Sequence, residues 1–170
     1  IRDLIGGSWP RIVSKVENQG GLDNVESVVA GTDAVMIDRG DLSVETQLET
    51  IALDQKRVLD VARRHGKPVI VATEMLHTMI ENPFPTKAEV SDITNAVLDG
   101  CAATMLSGET AIGAHYLKAV ETMRSVADRA AAFLKKADQP RGEARSVPQA
   151  MEDAVALICR ELPITKIVAV

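Results

Sequence analysis

Short apolar runs alternate along this chain with longer stretches in which apolar positions recur every three or four residues. Four runs read as strands, over residues 11–16, 34–37, 68–72 and 103–106. Each is short and apolar and runs into polar or glycine residues, the pattern of a buried parallel strand. Between them the spacing changes. Leu48, Ile51, Ala52, Gln55, Val58, Leu59 and Ala62 fall on one helical face, as do Tyr116, Val120, Met123, Ala127, Ala130 and Leu134. A helix is expected over 87–98, after the break at Pro83 and Pro85, and a shorter one over 22–29. Strand and helix thus alternate four times, which predicts an α/β fold on a parallel sheet. A doubly wound sheet and one half of a (β/α)8 barrel both satisfy that pattern.

The composition changes near the end. Asp138, Gln139, Pro140, Arg141, Gly142 and Glu143 read as a linker, and a domain boundary is expected near residue 145. Residues 1–145 then form a partial barrel, and 146–170 begin a second α/β domain with a helix over 148–162 and a strand over 167–170. The chain begins at Ile1 without an initiator methionine and stops at Val170 inside an apolar run, so both ends read as cut.

Of the 170 residues, 46% are apolar and 25% charged, as in soluble globular domains. The only aromatics are Trp9, Phe84, Tyr116 and Phe133, so the core must be aliphatic and no platform for stacking bases exists. The net charge of −5, with no basic cluster, argues against nucleic acid. No run approaches the length of a membrane span, which is about 18 apolar residues. Cys101 and Cys159 have no partner spacing for a disulfide framework or a zinc site, as expected of reduced thiols in a cytoplasmic protein.

The polar residues gather where the strands end. These ends read Ser14-Lys15-Val16-Glu17-Asn18, Asp38-Arg39-Gly40-Asp41, Thr73-Glu74 and Ser107-Gly108-Glu109-Thr110. The C-terminal edge of a parallel sheet is where α/β proteins place their sites. Lys15 and Glu17 share one face of their strand. Lys15 is compatible with two roles: neutralised by Glu17 or Asp41, or held over a substrate anion with Glu17 on a metal. Asp41 suits either the N-cap of a helix or a second carboxylate on a divalent ion. The backbone N–H groups of Arg39, Gly40 and Asp41 suit an anion. Thr73 also reads as an ordinary strand residue, and Ser107 and Glu109 as helix caps. His65, His77 and His115 have no ligand spacing.

These strings, with Ala72-Thr73-Glu74-Met75-Leu76, Pro85-Thr86-Lys87-Ala88-Glu89-Val90-Ser91-Asp92, Asn95-Ala96-Val97-Leu98-Asp99-Gly100 and Met105-Leu106-Ser107-Gly108-Glu109-Thr110-Ala111, resemble the pyruvate kinase family in order and approximate spacing. The resemblance covers nearly the whole chain from residue 11. It implies the second half of a TIM-type (β/α)8 barrel followed by the start of the C-terminal domain. It also implies phosphoryl transfer from phosphoenolpyruvate to ADP, giving pyruvate and ATP in glycolysis, with Mg2+ (or Mn2+) and K+, in a cytoplasmic homotetramer. By the same resemblance Lys15 stabilises the transferring group and the enolate, and Glu17 and Asp41 are divalent-metal ligands. Arg39, Gly40 and Asp41 form the loop that holds the substrate carboxylate, Thr73 lies beside the substrate, and Ser107 and Glu109 help deliver the proton.

The chain departs from the family pattern at several positions. Asp38 stands where Ala is usual, Ser43 for Gly, Glu74 for Gln, His77 for Glu, and His115-Tyr116 for Tyr-Pro; Ile112 stands where some members carry a nucleotide-reaching lysine. Nothing here matches the family's first four barrel strands, with their K+ ligands and an essential arginine, or its lid. A partial catalytic unit, inactive by itself, is therefore expected. Two other readings are a Mg2+-dependent aldolase or lyase acting through a pyruvate enolate, and a non-catalytic half-barrel module.

Overall fold

In the computed structural model, residues 1–137 are described, with side chains through Leu134, and beyond them only Val155. The boundary expected near residue 145, the helix over 148–162 and the strand over 167–170 lie outside the described residues. After a short helix α1 (Arg2–Ile5), strand β1 (Val13–Val16) leads into two short helices, α2 (Gln19–Asp23) and α3 (Val25–Ala30). Strand β2 (Ala34–Asp38) passes directly into α4 (Arg39–Glu45), followed by the long helix α5 (Ile51–Arg64). Strand β3 (Val69–Ala72) and α6 (Lys87–Leu98) come next, then β4 (Ala103–Met105), α7 (Gly108–Ala111) and α8 (Tyr116–Ala137).

All three strand pairings are parallel, and the spatial order β1-β2-β3-β4 is the sequence order. Consecutive parallel neighbours joined by helices are repeated β/α units, and an unreversed order is that of a barrel wall; a doubly wound sheet reverses direction at a switch point. The expected fold class, a partial TIM-type barrel, stands. Among the described residues β1 and β4 each have one hydrogen-bonded neighbour, so the wall is open.

The two faces of the sheet differ. Val16, Val35, Ile37, Val69 and Val71 are buried and pack with Leu22, Val25 and Val29 of α2 and α3 and with Val58, Leu59 and Ala62 of α5. Burial at positions 55, 58, 59 and 62 of α5 is the three-and-four spacing of an amphipathic helix. The opposite face carries Lys15, Met36, Ile70 and Ala103, aligned by register, and none of the four is buried. Alternation along the pleat thus sends one row of side chains under the helices and the other to the concave side.

The elements follow local chemistry. Thr86 and Glu89 form a reciprocal capping box that starts α6 at the position the proline break implies. The helix expected over 22–29 is instead two helices divided at Asn24, and the first begins earlier because the Asn18 side chain accepts the Gly21 N–H at 2.8 Å. Gly20 and Gly21, both poor helix formers, hide that start in the sequence. At the other end of the sheet, the Asp33 carboxylate accepts the Ile12 N–H at 2.7 Å and pairs with Arg2 at 2.6 Å.

Candidate active site

Lys15 rises from β1 on the concave face, 44% exposed, and its ammonium sits among three carboxylates. Its Nζ lies 2.5 Å from Glu17 Oε2, 2.9 Å from Asp38 Oδ2 and 3.7 Å from Asp41 Oδ2. Hydrogen bonds to Glu17 and then to Asp38 push the Lys15 pKa well above the ordinary lysine value, so the side chain is an ammonium throughout the neutral range. Both expected partners of Lys15 are therefore present, and Asp38, which the sequence marked only as a strand-end residue departing from the family pattern, is a third.

Ligand atoms of Glu17, Asp38 and Asp41 lie within 4.8 Å of one another. Oxygens across an octahedral Mg2+ are about 4.2 Å apart, so modest side-chain movement would bring Glu17 and Asp41, the two carboxylates of the cluster with the greater exposure, onto one hard divalent cation.

Asp38 ends β2, and its side chain is 11% exposed. Burial pushes its carboxyl pKa up, but hydrogen bonds from Lys15 and Thr73 and the Lys15 charge outweigh this and hold it below the ordinary value. Its Oδ1 faces the Thr73 hydroxyl at 3.0 Å. The same hydroxyl oxygen accepts the Gly40 N–H at 2.7 Å. Thr73 and Glu74, just beyond β3, have φ of 68° and 55°, in the left-handed region that non-glycine residues rarely enter. For β-branched Thr73 that conformation is strained, and such strain gathers at functional sites.

Arg39 turns the other way. Its side chain, 10% exposed, pairs with Asp92 of α6 at 2.7 Å, and it donates to the Thr73 carbonyl at 3.0 Å and to Met75 Sδ at 2.9 Å. The guanidinium thus engages protein groups, and what Arg39 offers the strand-end loop is backbone. The sequence carries no clear signal for this, since β2 ends at Asp38 and Arg39 already opens α4, beyond the reach of strand alternation. A cavity lined by Arg39, Gln55, Lys56, Asp92 and Asp99 opens on that side, and none of Lys15, Glu17, Asp38 or Asp41 lines it.

Ser107 and Glu109 are joined to each other rather than to the Lys15 cluster. Glu109 is 2% exposed, and its two oxygens accept the N–H groups of Leu76 and Ser107, each at 2.9 Å. It ties the end of β4 to the loop after β3. Ser107 occupies the N-cap position of α7 without a side-chain capping bond.

The barrel-domain family model of pyruvate kinase matches residues 1–120. A pyruvate kinase of Mycobacterium tuberculosis is 52% identical over 126 residues, which is 74% of this chain and 26% of that relative. One of Borreliella burgdorferi is 50% identical over 119 residues, covering 70% of this chain and 25% of the relative. Among solved structures, a pyruvate kinase from Cryptosporidium parvum superposes with a TM-score of 0.70 at 38% identity, covering 88% of this chain and 32% of that one. The chain therefore spans about a quarter of the length of the curated relatives it matches.

Proposed function

Because this chain belongs to the pyruvate kinase family, we propose that it supplies one wall of a site that moves a phosphoryl group from phosphoenolpyruvate to ADP. The observation that carries this reading is the Lys15 ammonium among Glu17, Asp38 and Asp41 at neighbouring strand ends. Phosphoryl transfer needs little covalent chemistry from the protein; positioning and charge stabilisation do most of it.

Glu17 and Asp41 would hold Mg2+ or Mn2+, which supplies positive charge to the phosphate and enolate oxygens. Lys15 places its ammonium against the charge that develops on the transferring group and on the enolate. The loop of Arg39, Gly40 and Asp41, with the Gly40 N–H held on the Thr73 hydroxyl, would lie against the substrate carboxylate. Ser107 and Glu109 act from the β4 end in delivery of the proton to the enol; the geometry supports a holding role for Glu109, whose oxygens both accept backbone N–H groups. K+ would act beside the divalent ion, through ligands that nothing in this chain matches, and the assembly would be a homotetramer. No helix among the described residues is long and apolar enough to cross a membrane; the cytoplasmic, glycolytic role proposed here rests on family membership alone. Residues 1–145 serve as the barrel segment and 146–170 as the start of the C-terminal domain.

The test is a pair of assays on the full-length protein carrying this segment, one for ATP formed from ADP and phosphoenolpyruvate, the other for aldol cleavage to pyruvate. ATP formation without cleavage is expected; cleavage without ATP formation would replace this reading with that of a lyase.

A further inference from the structure

We propose that Asp38 is a positioning residue of this site, a strut that sets the Lys15 ammonium and the Thr73 hydroxyl relative to each other. The proposal rests on the phosphoryl-transfer reading above.

Asp38 is the last residue of β2, which lies between β1 and β3. Its two oxygens reach in opposite directions. Oδ2 takes the Lys15 ammonium of β1 at 2.9 Å, and Oδ1 faces the Thr73 hydroxyl beyond β3 at 3.0 Å. One carboxylate thus spans three strand ends. Its shielding matters: an exposed ion pair holds nothing in place, whereas a carboxylate screened from water and engaged at both oxygens orients what it touches.

The strut continues through Thr73. That hydroxyl has a single proton, for which Asp38 Oδ1 and the Ala72 carbonyl at 2.6 Å compete, while its oxygen accepts the Gly40 N–H. Lys15, Asp38, Thr73 and Gly40 therefore form one connected chain from β1 to the start of α4. Thr73 adopts an unfavourable left-handed φ, so the bonds holding it decide where the hydroxyl points. Without Asp38 the ammonium keeps only Glu17 within 3 Å. It is then free to shift along β1, and the Thr73 hydroxyl turns to Ala72.

A third carboxylate beside an anionic substrate does not assist binding, so its contribution falls on turnover. In the full-length protein, Asp38→Ala should lower kcat about tenfold, the usual cost of losing an outer-shell orienting group, with KM for phosphoenolpyruvate unchanged or lower. Asp38→Asn, which retains an acceptor for Thr73 but not the charge on Lys15, should fall between the two. Mn2+ binding followed by electron paramagnetic resonance should stay within about threefold of the parent in both variants, because the Asp38 oxygens engage Lys15 and Thr73 and no side chain assigned to the metal. The proposal is overturned by a kcat within about twofold of the parent, or by a loss confined to KM. Loss of Mn2+ binding as large as that of Glu17→Gln would make Asp38 a metal ligand and would also overturn it. If Asp38→Ala fails to fold, Asp38→Asn carries the same thresholds. A parent that forms no ATP sinks the underlying reading and this proposal together; an active parent with indifferent Asp38 variants sinks this one alone.

Discussion

The Arg39 guanidinium donates to the Thr73 carbonyl oxygen across 3.0 Å, fastening the first residue of α4 to a threonine held in the left-handed region. The same side chain reaches Asp92 on α6, so one buried cation ties two strand ends to the helical layer. Arg39→Met should therefore destabilise the full-length protein by about 2–3 kcal/mol, below the full cost of breaking a buried pair because Asp92 keeps some contact with water. Arg39→Lys should not restore the loss, since an ammonium lacks the planar fork that serves several acceptors at once. Urea denaturation monitored by circular dichroism checks both; a fully stable Arg39→Lys would show that charge alone is needed.

Glu17→Gln removes a charge but keeps the shape of the side chain. The expected outcome is a severe loss of turnover at limiting Mg2+ with the fold intact, because a neutral amide is a poor ligand for a hard divalent ion. Steady-state rates across a Mg2+ titration, with circular dichroism as a control, measure it. Unchanged turnover at limiting Mg2+ would remove Glu17 from the metal site.

At the opposite end of the sheet Asp33 makes a pH prediction. The Arg2 hydrogen bond first, then the Ile12 N–H, hold its carboxyl pKa at about 2 instead of the usual 3.8. A carboxylate whose pKa is depressed by folding adds stability above its unfolded pKa, and that stability is lost as pH falls through the folded value. Asp33→Asn should therefore melt below the parent at pH 6, and the two curves should converge between about pH 4 and pH 2. Melting temperatures over that range decide it; a constant gap would mean that Asp33 acts through shape and not through charge.

Much of this was legible in the sequence, and the exceptions have identifiable causes. The four strands read correctly because each is a short aliphatic run, and α6 did because prolines bound its start. Helix α4 did not, because it follows β2 without a loop and opens on Arg39-Gly40-Asp41, where glycine and aspartate disfavour a helix. The left-handed φ at Thr73 and Glu74 has no sequence signal, since only glycine advertises it. Within the candidate site, the nearness of Lys15 to Glu17 follows from strand period, and that of Asp41 from the neighbouring strand end. The part played by Asp38 needed the β1–β2 register, and the anchoring of Glu109 to Leu76 joins residues 33 apart in the chain.

Residues 1–170 expressed alone should show no turnover with saturating phosphoenolpyruvate, ADP, Mg2+ and K+. The described sheet has two unpaired edges, β1 and β4, and its concave face is uncovered, features that favour self-association or poor folding over a closed site. Assay in a host lacking its own pyruvate kinase, with size-exclusion chromatography beside it, tests this. Rates near those of an intact relative would show that this wall suffices.

The most direct measurement follows phosphorus itself. The full-length protein is incubated with phosphoenolpyruvate, ADP, Mg2+ and K+, and 31P resonances are recorded for the parent and for Lys15→Met. The γ-phosphate of ATP should appear one for one with pyruvate in the parent. Lys15→Met should lose kcat far more than it gains KM, because the ammonium acts chiefly where charge develops in the transition state. A parent that releases only inorganic phosphate, or a Lys15→Met variant with full kcat and a raised KM, would contradict the account.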